Sequence, residues 1–136
     1  MNKDGSKKTE CGIHVSGAEQ TFDRDLWEAG VVAQLASQEE ALALKSAGKK
    51  SVVVVYAPWC QFCQAMEAEY EQLAADLAKD GITVTKYRGD EDREFVTANF
   101  NAASFPTINL VSASGEVTKY DSEDRSVAAM KSFVLA

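Results

Sequence analysis

The chain has 136 residues, a length that suits one domain and is short for two. Hydrophobic residues make up 46% of it, which excludes wholesale disorder, and a net charge of −7 argues against nucleic acid as a partner. The longest apolar run, SVVVVYAP at 51–58, is far below the roughly 20 residues of a membrane-spanning helix, so no membrane partner is expected. The basic start of the chain lacks the apolar core of a signal peptide, and we expect neither a signal nor a transit peptide in it.

The first elements follow from composition and local signals. Residues 1–30 are polar and predict a flexible tail and linker, whereas residues 31–136 predict one globular domain. A short strand is expected at 31–35, and Ser37 followed by Glu40 has the spacing of a capping box at a helix start. The four valines that follow have no polar alternation, which predicts a strand buried on both faces.

The second half of the chain continues the alternation of strands and helices. The spacing of apolar residues predicts a long helix from 61 to 81, a strand at 82–87, a helix at 91–100, strands at 107–112 and 116–120, and a closing helix at 124–135. The order β-α-β-α-β-α-β-β-α predicts an α/β fold with a mixed, mostly parallel central sheet and helices on both faces.

Cys60 and Cys63 form the motif Cys-Gln-Phe-Cys where the valine strand ends and the long helix begins. Unpaired backbone N–H groups and the helix dipole at this point favour a thiolate on Cys60. The dipole contributes only about 0.3–1 kcal/mol, which is less than one pKa unit. The placement predicts Cys60 as a nucleophile toward disulfides or oxidised sulfur, and Cys63, one turn further in, as the thiol that resolves the intermediate.

A second element, SFPT at 104–107, places Pro106 after an aromatic residue and just before a strand. This position favours a cis peptide bond, and the combination with the cysteine motif strengthens that expectation. Pro106 is then expected to present backbone beside the Cys60 sulfur and to hold the extended chain of a substrate.

The segments YAPWCQFC at 56–63 and SFPT at 104–107 resemble the thioredoxin superfamily, including its protein disulfide isomerase branch, over about 31–136. The resemblance implies a thioredoxin-like fold, with Trp59 and Thr107 in the substrate site. One departure concerns a buried carboxylate, which these families place six residues before the first cysteine to move the proton of the resolving thiol. Val54 occupies that position here.

The tail carries TECGIH, with Cys11 and the only histidine, His14. It is similar to the C-terminal signature of sulfonucleotide reductases, and the similarity to their plant-type branch extends from about Lys8 to Ala136 through VVVVYAPWCQFCQAMEAEYEQLA and KYDSEDR. In that branch a glutaredoxin-like domain follows the signature and draws electrons from glutathione.

Several expectations come from this resemblance alone. Cys11 would carry the S-sulfonate formed from adenosine 5′-phosphosulfate, and the Cys60/Cys63 pair would cleave it to sulfite. Glutathione and an N-terminal reductase domain of the same polypeptide would be the partners. No cofactor is expected in this chain, since a 4Fe–4S cluster would belong to that other domain. A plastid location is implied, with the cytoplasm as the alternative.

A mobile tail suits a thiol that must visit two places. About 20 flexible residues between Cys11 and the domain would span roughly 25 Å root-mean-square and about 65 Å when extended. Cys11 could therefore visit a nucleotide pocket and then Cys60. His14 is close enough in sequence to influence the Cys11 thiol; it could lower the pKa of that thiol, bind substrate or only position the tail.

Other readings remain open at this point. One is a protein disulfide isomerase-like or thioredoxin oxidoreductase. Another is a non-catalytic zinc or docking module. Three cysteines and one histidine could supply zinc ligands, namely Cys11, His14, Cys60 and Cys63. Four aromatic residues could form a docking rim, namely Trp27, Trp59, Phe62 and Phe105. We expect no metal, because a Cys-x-x-Cys pair beside a strand–helix unit indicates redox chemistry. Candidate contacts for glutathione carboxylates are Lys86, Arg88, Thr107 and Arg125, and the acidic run 90–94 is expected to be a solvated helix start.

Overall fold

The computed structural model describes residues 11–12, 25–28 and 30–136. Seven strands occur in the described part of the chain: β1 (Cys11–Gly12), β2 (Ala33–Gln34), β3 (Ser51–Tyr56), β4 (Thr83–Arg88), β5 (Ser104–Phe105), β6 (Thr107–Val111) and β7 (Val117–Lys119). The helices are α1 (Gln38–Ala43), α2 (Gln61–Ala65), α3 (Glu67–Ala78), α4 (Arg93–Phe100) and α5 (Val127–Leu135).

Five of the strands form one mixed sheet in the order β2-β4-β3-β6-β7. Strands β2, β4 and β3 run parallel, whereas β6 is antiparallel to β3 and forms a hairpin with β7. The predicted α/β class, the mixed sheet and the single late hairpin are therefore confirmed. The prediction that the sheet is mostly parallel is wrong, because two of its four strand pairings are antiparallel. Strands β1 and β5 form a separate two-stranded pair outside this sheet.

The valine strand lies at the centre of the sheet. All six residues of β3 are buried, which confirms that both faces of this strand are covered. Helix α3 packs against β4 and α5 through the residues of its inner face, Tyr70, Leu73, Ala74 and Leu77. Burial of apolar surface at about 25 cal/mol per Å² makes this centre the main stabilising region of the fold, and it fixes the carboxyl end of β3, where the cysteine motif begins.

The helix boundaries follow local chemistry, with one break that the periodic pattern did not indicate. Ser37 Oγ accepts the backbone N–H of Glu40 at 3.1 Å, as the predicted cap requires. The helix predicted from 61 to 81 is interrupted at Met66, whose backbone angles of φ −95° and ψ 6° are not helical. Neither Gly nor Pro marks this point in the sequence, so spacing alone predicted one continuous helix.

The segment before the domain is packed where the structure describes it. Leu26 and Trp27 lie within the range predicted as tail and linker, yet they are 0% and 1% exposed. The division of the chain at residue 30 stays a prediction. Within the described residues, no helix is both long enough and apolar enough to cross a bilayer.

Candidate active site

The cysteine motif lies at the junction of β3 and α2. Cys60 is the residue before α2, with extended angles of φ −79° and ψ 123°, and its carbonyl accepts the N–H of Gln64 at 3.1 Å. The tight turn between strand and helix is closed by the N–H of Cys60, which donates to Ala57 O at 3.1 Å. The sequence predicted the Cys60 sulfur as an acceptor for N–H groups of the helix start; in this structure the Cys60 side chain makes no capping hydrogen bond.

The Cys60 sulfur is instead bonded to the sulfur of Cys11. The two residues are 49 positions apart in sequence, and their Cα atoms are 6.1 Å apart. Cys11 is 5% exposed and Cys60 is 0% exposed, so the disulfide is shielded from solvent. The structure thus brings the tail thiol and the predicted nucleophile together.

The tail reaches this position as an added strand. Cys11 pairs with Phe105 and Gly12 with Ser104 in antiparallel register, directly before the Phe105–Pro106 peptide bond. That bond is cis, as predicted. Cys60 Sγ lies 3.5 Å from the carbonyl oxygen of Phe105. Main-chain pairing along an exposed edge is a general way to hold an extended peptide, and here the peptide held is the tail of the same chain.

Cys63 is a free thiol in the interior, one turn into α2. Burial raises its pKa to about 12; a hydrogen bond with the backbone of Ala57 and the charge of Arg125 act in the opposite direction. Val54, at the position where the resembling families have a carboxylate, is 0% exposed. In this disulfide form the Cys63 thiol is therefore neutral, and position 54 supplies no carboxylate to take its proton.

Trp59 is fixed by a residue that sequence reasoning missed. Its indole Nε1–H donates to Asp90 Oδ2 at 2.7 Å, and its ring meets that of Phe105 edge to face at 6.0 Å between centroids. Asp90 also accepts from Arg88 Nε at 2.7 Å, and its side chain is only 8% exposed. The expectation of a solvated acidic run is wrong for Asp90. Its place just after β4, at the sheet edge where β3 ends, was the available signal.

The remaining predicted residues divide between the site and the core. Thr107 is buried, and its Oγ1 donates to Ser104 O at 2.7 Å, which braces the corner at Pro106. Arg125 is half-buried and lines a cleft of about 130 Å³ together with Pro106. His14 lies outside the described residues.

Two of the cations predicted to contact glutathione carboxylates already have partners within the chain. Lys86 is 6% exposed, and its Nζ donates to Leu26 O, so the expectation that it meets a solvent-borne carboxylate is wrong. Arg88 pairs with Asp90 and, at 3.6 Å, with Glu91.

The structure supports neither the docking rim nor the zinc site that the sequence left open. Three of the four rim aromatics are at most 3% exposed, namely Trp27, Trp59 and Phe105, and only Phe62 is half-buried. No group of three or more His, Cys, Asp or Glu side chains among the described residues could hold a metal ion. The disulfide also engages two of the three sulfurs that the zinc reading requires.

A strand–helix junction carrying Cys-x-x-Cys, next to a cis-proline edge that holds a peptide, defines the thiol–disulfide oxidoreductase class. The comparison with known families agrees with this geometry. The sequence model of the family described as thioredoxin matches residues 31–136, and the chain belongs to this family.

Similar proteins extend the match into the tail. The chain is 37% identical over 145 residues to "5'-adenylylsulfate reductase 1, chloroplastic" of Arabidopsis thaliana, a match that covers 95% of the chain and 31% of that protein. It is 43% identical over 155 residues to "Probable 5'-adenylylsulfate reductase 1, chloroplastic" of Oryza sativa subsp. japonica, covering 95% and 33%. The chain thus spans about a third of the length of these relatives.

Solved structures support the fold. The Trx4 domain of ERdj5 superposes with a TM-score of 0.66 at 18% identity, covering 78% of this chain and 94% of that one. At this identity the likeness concerns the fold alone.

Proposed function

We propose that this chain is the thiol–disulfide relay of a plant-type adenosine 5′-phosphosulfate reductase. In this role Cys60 and Cys63 pass electrons from glutathione to an S-sulfonate on Cys11, and sulfite is released. The observation that carries the proposal is the Cys11–Cys60 disulfide, with Cys11 held along the edge at Phe105. Relatives named as chloroplastic 5'-adenylylsulfate reductases support it, since a match over 95% of the chain includes part of the tail.

The first step is attack of the Cys60 thiolate on the Cys11 sulfur. The bond between Cys11 Sγ and the sulfonate sulfur breaks, its electron pair leaves with sulfite, and the Cys11–Cys60 disulfide forms. The edge at Ser104–Phe105 aligns the tail for this attack, and the Trp59–Phe105 contact holds that edge against the motif. Proximity of this kind replaces a bimolecular encounter.

The second step returns Cys11 to the thiol state. Cys63 loses its proton, attacks Cys60 Sγ, and expels Cys11 as a thiolate, which leaves a Cys60–Cys63 disulfide. Two glutathione thiols then reduce that disulfide and become glutathione disulfide, so electrons and sulfur atoms balance. Arg125 lines the cleft beside Pro106 and offers a cation to a glutathione carboxylate, whereas Lys119 in the same cleft pairs with Asp121 at 3.8 Å.

The rest of the reductase would lie in the part of the relatives that this chain does not cover. We place there an N-terminal domain with the nucleotide pocket and a 4Fe–4S cluster, and we assign the whole protein to the plastid. Cys11, with His14 nearby in sequence, would receive the sulfonate group in that pocket.

A direct test uses the tail as a separate substrate. A synthetic peptide of residues 7–17, S-sulfonated on its cysteine, is mixed with the reduced Cys11→Ser chain, and free sulfite is measured. We expect stoichiometric sulfite release, because Cys60 can attack the peptide sulfur in the same groove. The Cys63→Ser variant should release sulfite once and accumulate the peptide–Cys60 disulfide, whereas Cys60→Ser should release none.

The electron donor is tested by turnover of the same reaction. Glutathione with glutathione reductase should sustain sulfite release beyond one equivalent. Turnover with thioredoxin reductase alone would favour an ordinary thioredoxin, and sulfite release that persists in Cys60→Ser would refute the proposed relay.

A further inference from the structure

Leu26 and Trp27, called the docking segment here, are packed into the domain although they precede its first strand. They are 0% and 1% exposed. The Trp27 ring contacts those of Tyr56 and Tyr70, with centroid distances of 5.3 Å and 5.1 Å. The segment lies before residues 31–136, the range that the thioredoxin family model matches.

Polar contacts fix the orientation of the docking segment. The Trp27 backbone N–H donates to the Glu67 carboxylate at 2.9 Å, and the indole Nε1–H donates to the Glu67 carbonyl at 3.0 Å. Trp27 adopts φ 58°, in the left-handed region that a bulky side chain disfavours. Backbone in this conformation persists only where the surroundings over-determine it, as they do here.

A buried lysine holds the other residue of the segment. Lys86 stands next to Val54 in the parallel register of β3 and β4, and its Nζ donates to Leu26 O and lies 5.8 Å from the Tyr56 ring centroid. An ammonium group at this depth is costly unless it has partners. The Leu26 carbonyl and the Tyr56 ring supply them, so the lysine and the segment stabilise each other.

The location of these contacts links them to the thiol chemistry. Tyr56 is the last residue of β3, four positions before Cys60, so the segment is docked at the active-site end of the sheet. Cys11 lies fifteen positions before Leu26 and twenty before Val31, the first residue of the matched domain. At the extension used above for the tail, fifteen residues span about 50 Å, against about 65 Å for twenty.

We propose that the docking segment is a positioning device, which fixes the root of the Cys11 tail beside the active site and so favours the Cys11–Cys60 disulfide. The inference rests on the proposed role of Cys11 as a thiol that visits Cys60. Closing a flexible chain of n residues costs about (3/2)RT ln n in free energy. Undocking lengthens the free tail from about fifteen to about twenty residues, so it should lower the equilibrium constant for this disulfide by at least about 1.5-fold. Trp27, Lys86 and Glu67 act through the tail and do not touch the reacting sulfurs.

The test measures that equilibrium constant in glutathione buffers, in a Cys63→Ser background where only one intramolecular disulfide can form. We expect Trp27→Ala and Lys86→Met each to lower the constant by at least about 1.5-fold, and Trp27→Phe to keep part of it. Lys86→Met retains the aliphatic chain and removes a buried charge, so a folded domain is expected even if Trp27→Ala unfolds. Met130→Ala, a buried substitution in α5, is the control that lowers stability and leaves the constant unchanged.

Two results would overturn the inference. One is an unchanged constant in a folded Trp27→Ala or Lys86→Met chain. The other is rapid solvent exchange of the Trp27 indole N–H in the Cys11→Ser chain, because docking must persist without the disulfide. Failure of the unsubstituted tail to form any Cys11–Cys60 disulfide would instead refute the proposed function, and the indole measurement would still decide whether the segment docks.

Discussion

At the scale of single residues, Cys60 and Cys63 differ in what surrounds their sulfurs. Cys60 is bonded to Cys11 at the edge of the tail strand, whereas Cys63 lies inside the helix turn as a free, buried thiol. Burial raises the Cys63 pKa to about 12 in the disulfide state, in which Cys63 must act as a nucleophile. With its pKa raised in this way, Cys63 is almost entirely protonated at pH 7, so resolution by Cys63 should be slow and the Cys11–Cys60 disulfide should accumulate.

The rate at which Cys63 releases Cys11 should therefore depend steeply on pH. Below the pKa, each unit of pH raises the thiolate fraction about tenfold. We expect the release of Cys11 from the purified Cys11–Cys60 form to accelerate about tenfold per unit from pH 7 to 9, without external thiol. Acid quenching followed by alkylation of the Cys11 thiol measures this rate.

The control for this measurement is the Cys63→Ser variant, which should not release Cys11 from the Cys11–Cys60 disulfide. A rate that levels off near pH 8.5, as for an ordinary thiol, would contradict the raised pKa.

The raised pKa of Cys63 also affects the stability of the fold. A thiol whose pKa is raised in the folded state stabilises the fold below its unfolded pKa of about 9, and this contribution is lost as pH rises toward 12.

At the scale of elements, strand β1 occupies the edge where an external substrate would pair. Its Cys11 is bonded to Cys60, which is 0% exposed, and it takes the backbone positions opposite Ser104 and Phe105. The disulfide form should therefore be closed to other disulfides until the tail leaves.

Removing the tail thiol should open the site to external substrates. We expect the Cys11→Ser chain to reduce a small mixed disulfide several-fold faster than the unsubstituted chain, with glutathione as electron source, because Cys60 is no longer blocked. The assay is coupled to glutathione reductase at pH 7. Equal rates for the two chains would show that the tail does not occupy the groove during turnover.

Elements with strong local signals could be predicted from sequence. The valine run of β3, the Ser37 cap of α1 and the hairpin of β6 and β7 each depend on residues next to one another in the chain. The break at Met66 and the short pair of β1 and β5 could not, because they depend on distant partners. The same limit hid Asp90, whose partner Trp59 is 31 positions away.

At the scale of the whole molecule, the resemblance implied that the tail thiol of Cys11 meets the Cys60/Cys63 pair, but the sequence did not indicate how the tail is held there. The motif at Cys60 and the cis bond before Pro106 could be predicted, since each has a local signature. That Cys11 pairs beside Pro106, that Leu26 and Trp27 join the core, and that Lys86 turns inward follow from tertiary packing, which no spacing in the sequence encodes.

The central claim is that the tail delivers Cys11 to Cys60, and disulfide mapping of the whole chain tests it most directly. The reduced chain is treated with one equivalent of oxidant at pH 7, quenched in acid, alkylated, and digested with trypsin and chymotrypsin, which cuts after Phe62 and so separates Cys60 from Cys63. We predict that mass spectrometry finds the Cys11 peptide linked to the Cys60 peptide, with Cys63 alkylated. A Cys60–Cys63 disulfide with Cys11 alkylated at every time point would contradict the account.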